Sequence, residues 1–246
     1  MSVDAHCHVD LHKDPSSVVQ LAVESGLRMV AVTTTPAAFK VSSGFSDIAN
    51  QIYPALGMHP EVVGSRPKDI TLFPRYLEQV SWVGEIGLDG SKRFRSSWDT
   101  QLSVFEKVLK DCQIAGGRLL SIHSRSASAE VIEILKRYPT SGIPVLHWFS
   151  GPARDLAGAL EIGAYFSVNG KMLQSASGRS LVRLIPLDRL LTESDAPFAS
   201  SSEKNVLEQI EECEFSLAEL LGLERTQVQR IVDTNFDRII SNQSLR

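Results

Sequence analysis

Short runs of apolar and β-branched residues recur along the chain, each followed by a longer stretch in which Leu, Val and Ile return every three or four positions. This alternation is the pattern of βα units around a parallel sheet. Eight runs predict strands, at 3–9, 29–35, 53–58, 82–88, 119–124, 144–149, 165–169 and 190–195. The amphipathic stretches 17–25, 100–115, 127–137 and 152–162 predict helices on the outside. The second unit is weak, because 39–51 holds Ser42, Ser43 and Gly44 and leaves room for only a turn or two of helix. Beyond the eighth strand, 203–221 and 226–242 read as two further helices that close the barrel and pack at its base. The expected fold is α/β, a (β/α)8 TIM barrel with a shortened second βα unit and extra C-terminal helices.

Composition supports one large core: 246 residues, 43% hydrophobic and 22% charged, suit a single barrel domain over 1–246 better than two small ones. The three cysteines, Cys7, Cys112 and Cys213, are odd in number and lack the spacing of a zinc knuckle or redox pair, so no disulfide framework is expected. The N-terminus has neither a basic start nor an apolar stretch, and no later run is long enough to span a bilayer. A cytoplasmic protein without membrane contact is the expectation. The net charge of -4 argues against nonspecific nucleic-acid binding over the whole surface, while leaving room for a local basic site.

Read in order, the strand ends carry His6 and His8, His59 with Pro60, Glu85 with Asp89, His123, His147 and Asp195. Five of the six histidines therefore fall at the face where barrel active sites are built, and only His12 lies off a strand. Strand alternation points His6 and His8 to one side and Cys7 toward the helices. Imidazole with carboxylate suits zinc, manganese or iron, and one carboxylate can bridge two ions through its two oxygens. Glu85 is the natural bridge, flanked by Gly84 and Gly87, which let backbone or ions come close. Singly, His123 or His147 could be a hydrogen-bonded core histidine, Asp195 a turn or capping residue, and Asp89 a loop cap. All of these would have to hold at once on one barrel face.

These residues fall in six motifs: Asp4-Ala5-His6-Cys7-His8-Val9-Asp10, Gly57-Met58-His59-Pro60, Gly84-Glu85-Ile86-Gly87-Leu88-Asp89, Ile122-His123-Ser124-Arg125, His147-Trp148-Phe149-Ser150-Gly151 and Glu193-Ser194-Asp195-Ala196-Pro197. In this set and order the chain resembles the TatD-related metal-dependent deoxyribonucleases of the amidohydrolase-like superfamily. The 235–240 segment also looks like that family's closing helix. The resemblance implies two divalent ions, magnesium, manganese or zinc, with His6, His8, Glu85 and Asp195 on one and Glu85, His123 and His147 on the other. Phosphotriesterase-like relatives usually carry a carboxylated lysine at the bridge, so a glutamate there favours the nuclease branch. It implies DNA as substrate, cut at phosphodiester bonds, often exonucleolytically. Three departures lie near the expected substrate: Gly90-Ser91 after Asp89 in place of an aromatic neighbour, the short second unit, and the serine run Ser200 to Ser202. A trimmed member of this kind is also similar to the TatD-like component of Qat antiphage defence systems, QatD, which would add other proteins of a defence operon as partners.

Within that reading Asp195 orients the attacking water and accepts its proton, while Glu85 holds both ions. His59 and Arg125 are expected substrate contacts, Arg125 facing inward two residues beyond His123. Lys92 and Arg93, with Arg95, Arg66, Lys68 and Lys171 on other loops, would give a local basic rim. The rival chemistry is hydrolysis of an amide, lactone or small phosphoester at the same metal pair. A third reading, a barrel kept as a binding subunit of a larger complex, would predict missing ligands, and all six are present.

Overall fold

The computed structural model describes residues 1–47, 50–199 and 204–244. Eight strands follow one another in chain order: β1 Val3–Cys7, β2 Arg28–Ala31, β3 Ile52–Leu56, β4 Trp82–Gly87, β5 Arg118–His123, β6 Gly142–His147, β7 Tyr165–Val168 and β8 Leu190–Thr192. Each pairs in parallel with the next. β1 and β8 meet across the closing seam, where Thr192 Oγ1 donates to Val3 O at 2.6 Å, Asp195 N to His6 O at 2.9 Å and His8 N to Ala196 O at 2.9 Å. The result is a nearly closed TIM barrel, as the alternating pattern predicts.

Every strand ends before its apolar run does, β2 at Ala31 rather than 35 and β8 at Thr192 rather than 195. Most residues past these ends stay buried but leave the regular ladder. Their backbone groups are satisfied irregularly, Thr33 N donating to Gly84 O at 3.1 Å and Glu85 N to Thr33 O at 3.0 Å. In consequence His8 and Asp195 sit on loops just beyond strands, not within them as the expected runs 3–9 and 190–195 placed them, while His59 and Asp89 lie past the ends of β3 and β4 as expected.

The helices Pro15–Ser25, Trp98–Ile114, Ser128–Arg137 and Ala153–Glu161 lie close to their expected spans. The second unit is indeed short. Its helix, Pro36–Ser42, starts earlier than 39 because Thr35 Oγ1 accepts the Ala38 N–H at 3.2 Å and Pro36 fills the first helical position; residues 48 and 49 of the expected 39–51 stretch lie outside the described residues. Four helices of four to seven residues, Pro60–Val63, Phe73–Leu77, Gly170–Gln174 and Ala176–Val182, were not anticipated, being too short to show a repeating apolar face. After β8, Val206–Leu221 begins at a capping box between Asn205 and Glu208. Position 203, where that helix was expected to begin, and the serine run Ser200 to Ser202 lie outside the described residues. Among the described residues no helix is long and apolar enough to cross a membrane.

The last helix, Arg225–Ser244, packs against β1, β5, β6 and β8 and closes the base of the barrel. Its Phe236, fully buried, lies 5.9 Å from the Trp82 ring and 5.4 Å from Tyr53, with the Arg28 guanidinium 4.6 Å over its face. Arg28 in turn pairs with Asp233 at 2.8 Å and Asp237 at 2.7 Å on the same helix. Cys7 is buried among Val19, Ala22 and Leu27 on the helix side, opposite His6 and His8 as alternation requires. Truncating Phe236→Ala removes the plug at the base and is expected to cost about 3–5 kcal/mol of stability, read as a lowered urea midpoint.

Candidate metal centre

At the carboxyl ends of the strands the side chains converge on one buried carboxylate. Glu85, 1% exposed, sits where the β4–β5 register shifts between Val83 and Ile86, and this irregularity turns its side chain to the barrel axis. Two glycines make the approach possible. A Cβ on Gly57 would stand 1.6 Å from Thr33 O, and one on Gly84 would stand 2.6 Å from Ser121 Cβ, so neither position tolerates a side chain. Glu85 Oε2 lies 3.0 Å from His8 Nε2 and 3.4 Å from His6 Nε2. Its Oε1 lies 2.9 Å from His59 Nε2, 2.8 Å from His123 Nδ1 and 2.8 Å from His147 Nε2. Asp195 Oδ1 closes the first group, 3.7 Å from His6 Nε2 and 3.8 Å from His8 Nε2.

Among the described residues three donor sets emerge: His6, His8 and Asp195; His6, Glu85 and His147; and His59, Glu85 and His123. The structure thus brings together all six residues expected as ligands. The grouping is less clean than the expected partition, since His6 and His147 stack at 3.9 Å and share a set. The donor chemistry fits a cation. His6 Nε2 and His8 Nε2 stand 3.3 Å apart, and His147 Nε2 and His123 Nδ1 3.4 Å apart. Each such pair can share one proton at most, so lone pairs crowded this closely in a buried site call for positive charge.

A second layer of polar groups fixes these side chains, and here sequence reasoning saw least. His6 Nδ1 meets Ser121 Oγ of β5 at 2.7 Å. His123 Nε2 faces Asp89 Oδ2 at 3.0 Å, and Asp89 is itself held by the Ser91 N–H at 2.8 Å, with its backbone tied to Gln101. Glu193 accepts from Trp148 N at 3.1 Å, from Asn169 Nδ2 at 2.9 Å and from Ser167 Oγ, and lies 3.8 Å from His147 Nδ1. Asp4 accepts from Ser194 N at 2.9 Å, Ser194 Oγ at 2.6 Å and His6 N at 3.2 Å, and so links β1 to the loop bearing Asp195. Asp195 in that loop has φ of 45°, and Trp148, in the separate loop after β6, has 38°. Asp4, Ser121, Glu193 and Ser194 were not singled out as site residues, though Asp4 lies two positions before His6 on the same strand face.

Electrostatics follow this packing. Burial resists ionisation of Glu85, but the imidazoles packed around it, His59, His147 and His6 foremost, outweigh it and hold its carboxyl well below the usual range. Burial drives His6 well below an ordinary imidazole, with His147 adding to the effect, and it lowers His59 too. For His147 burial is overcome by Glu85 and Glu193, which hold the ring well above its usual value. Burial pushes Asp195 to about 7, His147 opposing and Glu193 and Glu85 reinforcing. Asp89 is brought to about 2, because hydrogen bonds from His123 and Ser91 exceed the cost of burial.

Over the cluster opens a cleft of about 620 Å³, lined among others by Glu61, Val62, Arg125, Trp148 and Phe198. Arg125 reaches it from the loop after β5, not by strand alternation, since β5 ends at His123. Lys92 and Arg93 are exposed and do not line the cleft; the Arg93 guanidinium lies 5.1 Å over Phe94. Arg66 faces Asp69 at 3.8 Å and Arg95 lies 4.6 Å over Trp98.

An eight-stranded barrel with imidazoles and carboxylates gathered at the carboxyl ends of its strands defines a metal-dependent hydrolase of the TIM-barrel class. The TatD related DNase family model matches residues 3–241, and the chain belongs to this family of metal-dependent hydrolases. It is 32% identical over 199 residues to the 3'-5' ssDNA/RNA exonuclease TatD of Erwinia amylovora, covering 76% of this chain and 74% of that one. It is 28% identical over 223 residues to human deoxyribonuclease TATDN3, covering 83% and 80%. Its fold matches the crystal structure of YJJV, a TatD homolog from Escherichia coli, with a TM-score of 0.83 and 24% identity over 95% of each chain.

Asp89 touches the centre only through His123. Replacing it, Asp89→Ala, is expected to weaken metal binding about 10- to 100-fold, as loss of a carboxylate behind a ligating histidine typically does. Titration of the metal-free protein with manganese or zinc measures it.

Proposed function

We propose that the chain, acting as one domain over 1–246, hydrolyses phosphodiester bonds of DNA from an end, with two divalent ions held by His6, His8, Glu85, His123, His147 and Asp195. The observation that carries this reading is the division of Glu85. One oxygen faces His6 and His8 and the other faces His59, His123 and His147, so a single carboxylate borders two donor groups. Such a pair of ions, magnesium, manganese or zinc, supplies a water of lowered pKa and positive charge beside the phosphoryl oxygens. The names of the relatives, a deoxyribonuclease and a 3'-5' ssDNA/RNA exonuclease, support DNA as the substrate.

The chain's own groups have distinct tasks. Glu85, with both oxygens committed, is no proton acceptor. Asp195 touches the first donor group with Oδ1 and lines the cleft, and from there it orients the attacking water and takes its proton. Arg125 pairs a phosphate at the mouth through its planar fork. Lys92 and Arg93, outside the cleft, contact backbone further along the strand; being exposed, they contribute weakly and lose their effect as salt rises. The site works in the cytoplasm, and the trimmed second unit favours service beside other proteins of an antiviral defence operon, as in the QatD resemblance.

Labelled single-stranded DNA and p-nitrophenyl carboxylic esters, each with magnesium, manganese, zinc or chelator, test the reading. DNA shortened from one end, only with metal, is expected; hydrolysis of the esters alone would overturn it in favour of the rival chemistry. Asp195→Asn should keep most of the metal and lose about 100- to 10,000-fold in rate, the range for a removed general base. Glu85→Ala should lose metal as well as rate, as elemental analysis will show. Near-native turnover by Asp195→Asn with its metal intact would remove Asp195 from the base role.

A further inference from the structure

The helix Val206–Leu221 has an inner stripe and an outer one, and the outer one breaks the usual pattern of polar residues toward water. Val206, Ile210, Cys213 and Leu217, spaced by four, three and four positions, are buried. Glu208, Glu212, Phe215 and Glu219 repeat that spacing on the opposite side, and all four are exposed. Glutamates suit such a face. Phe215 does not: it is 60% exposed, with the Arg225 guanidinium 5.0 Å from its ring centre. The helix carries five glutamates and neither lysine nor arginine.

The complementary chemistry lies on the adjoining flank of the barrel. Val206–Leu221 packs against Gly170–Gln174, which is followed at once by Ala176–Val182. From the latter helix and the turn after it the chain presents Arg179, Arg183, Leu184 and Leu187, all exposed. Leu184 is 52% exposed and Leu187 43%, and within 179–189 three arginines stand against Asp188. Arg179 gives one N–H to Leu173 O at 3.1 Å, and Arg183 has no carboxylate partner among the described residues, so both charges are open to an incoming anion.

We propose that these two faces meet between two copies of this chain related by a two-fold axis. Phe215 of each copy seats against Leu184 and Leu187 of the other, and Glu212 and Glu219 face Arg179 and Arg183. The charge pattern selects a second copy as the occupant: an aromatic ring among carboxylates on one flank and two leucines beside guanidinium groups on the next are the two halves of one self-complementary contact. Because both halves lie side by side on one molecule, a two-fold axis between them satisfies both contacts at once and closes the assembly at two. None of these residues lines the cleft, so the contact is independent of the hydrolytic reading above.

Sedimentation velocity of the whole chain over a dilution series tests the pairing. A monomer–dimer equilibrium that shifts toward monomer as salt rises is expected. Phe215→Ser changes an exposed position, so circular dichroism should report a folded barrel, while dimer dissociation rises by about 30-fold or more, as for an aromatic anchor in an interface. The double variants Arg179→Glu with Arg183→Glu and Glu212→Arg with Glu219→Arg set like charges against each other, and each alone should be monomeric. Mixed in equal amounts, they should form a dimer containing one chain of each, because every reversed face then meets its opposite. Wild type that stays monomeric throughout the series would overturn the proposal and leave the two faces to another partner. A dimer indifferent to these changes would place the interface elsewhere, and a mixture that stays monomeric would break the proposed pairing of charges. Species that keep growing with concentration would make the contact head-to-tail and rule out the two-fold arrangement.

Discussion

The organisation of this protein depends on the burial of one carboxylate among five imidazoles. An ionised glutamate cannot be taken out of water unless charge and hydrogen bonds replace what water gave it. Around Glu85 they come from His6, His8, His59, His123 and His147, carried by β1, β5, β6 and the loops after β1 and β3. Only a closed parallel barrel brings so many strand ends to one point, so the fold and the centre are a single solution.

Those imidazoles are held in turn by a ring of carboxylates that face away from the cleft. Asp89 stands behind His123, Glu193 behind His147, and Asp4 clamps the loop that carries Asp195. Left-handed backbone at Asp195 and Trp148 would be disfavoured in isolation. Here Asp195 is fixed on both sides, its N donating to His6 O and its O accepting from Phe198 N, while Trp148 N donates to Glu193. Precision at the mouth is thus provided by polar contacts across strands, whereas the base is packed with Phe236, Trp82 and Tyr53 and stabilises without entering the chemistry. The two ends of the barrel divide the labour between function and stability.

The chain belongs to the TatD related DNase family, and in such a barrel function is set by the groups at the mouth rather than by the fold. Among the described residues the cleft is walled by Trp148, Phe198 and Val62 together with the acidic Glu61, and Arg125 is the one arginine or lysine that lines it. A net charge of -4 gives little long-range attraction for a polyanion.

Eight apolar runs with intervening amphipathic stretches determined the barrel, because the periods of strand and helix are local properties that any folded chain of this pattern must satisfy. The same spacing marked the six residues expected as ligands, and the structure brings their side chains together because strand ends and the loops just past them share one barrel mouth. What lay beyond reach is what depends on distance across the barrel. Asp4 and Ser194 are 190 positions apart and meet only because β1 closes against β8. Arg125 enters the cleft while Lys92 and Arg93 do not, a difference set by how two loops bend and not by their composition.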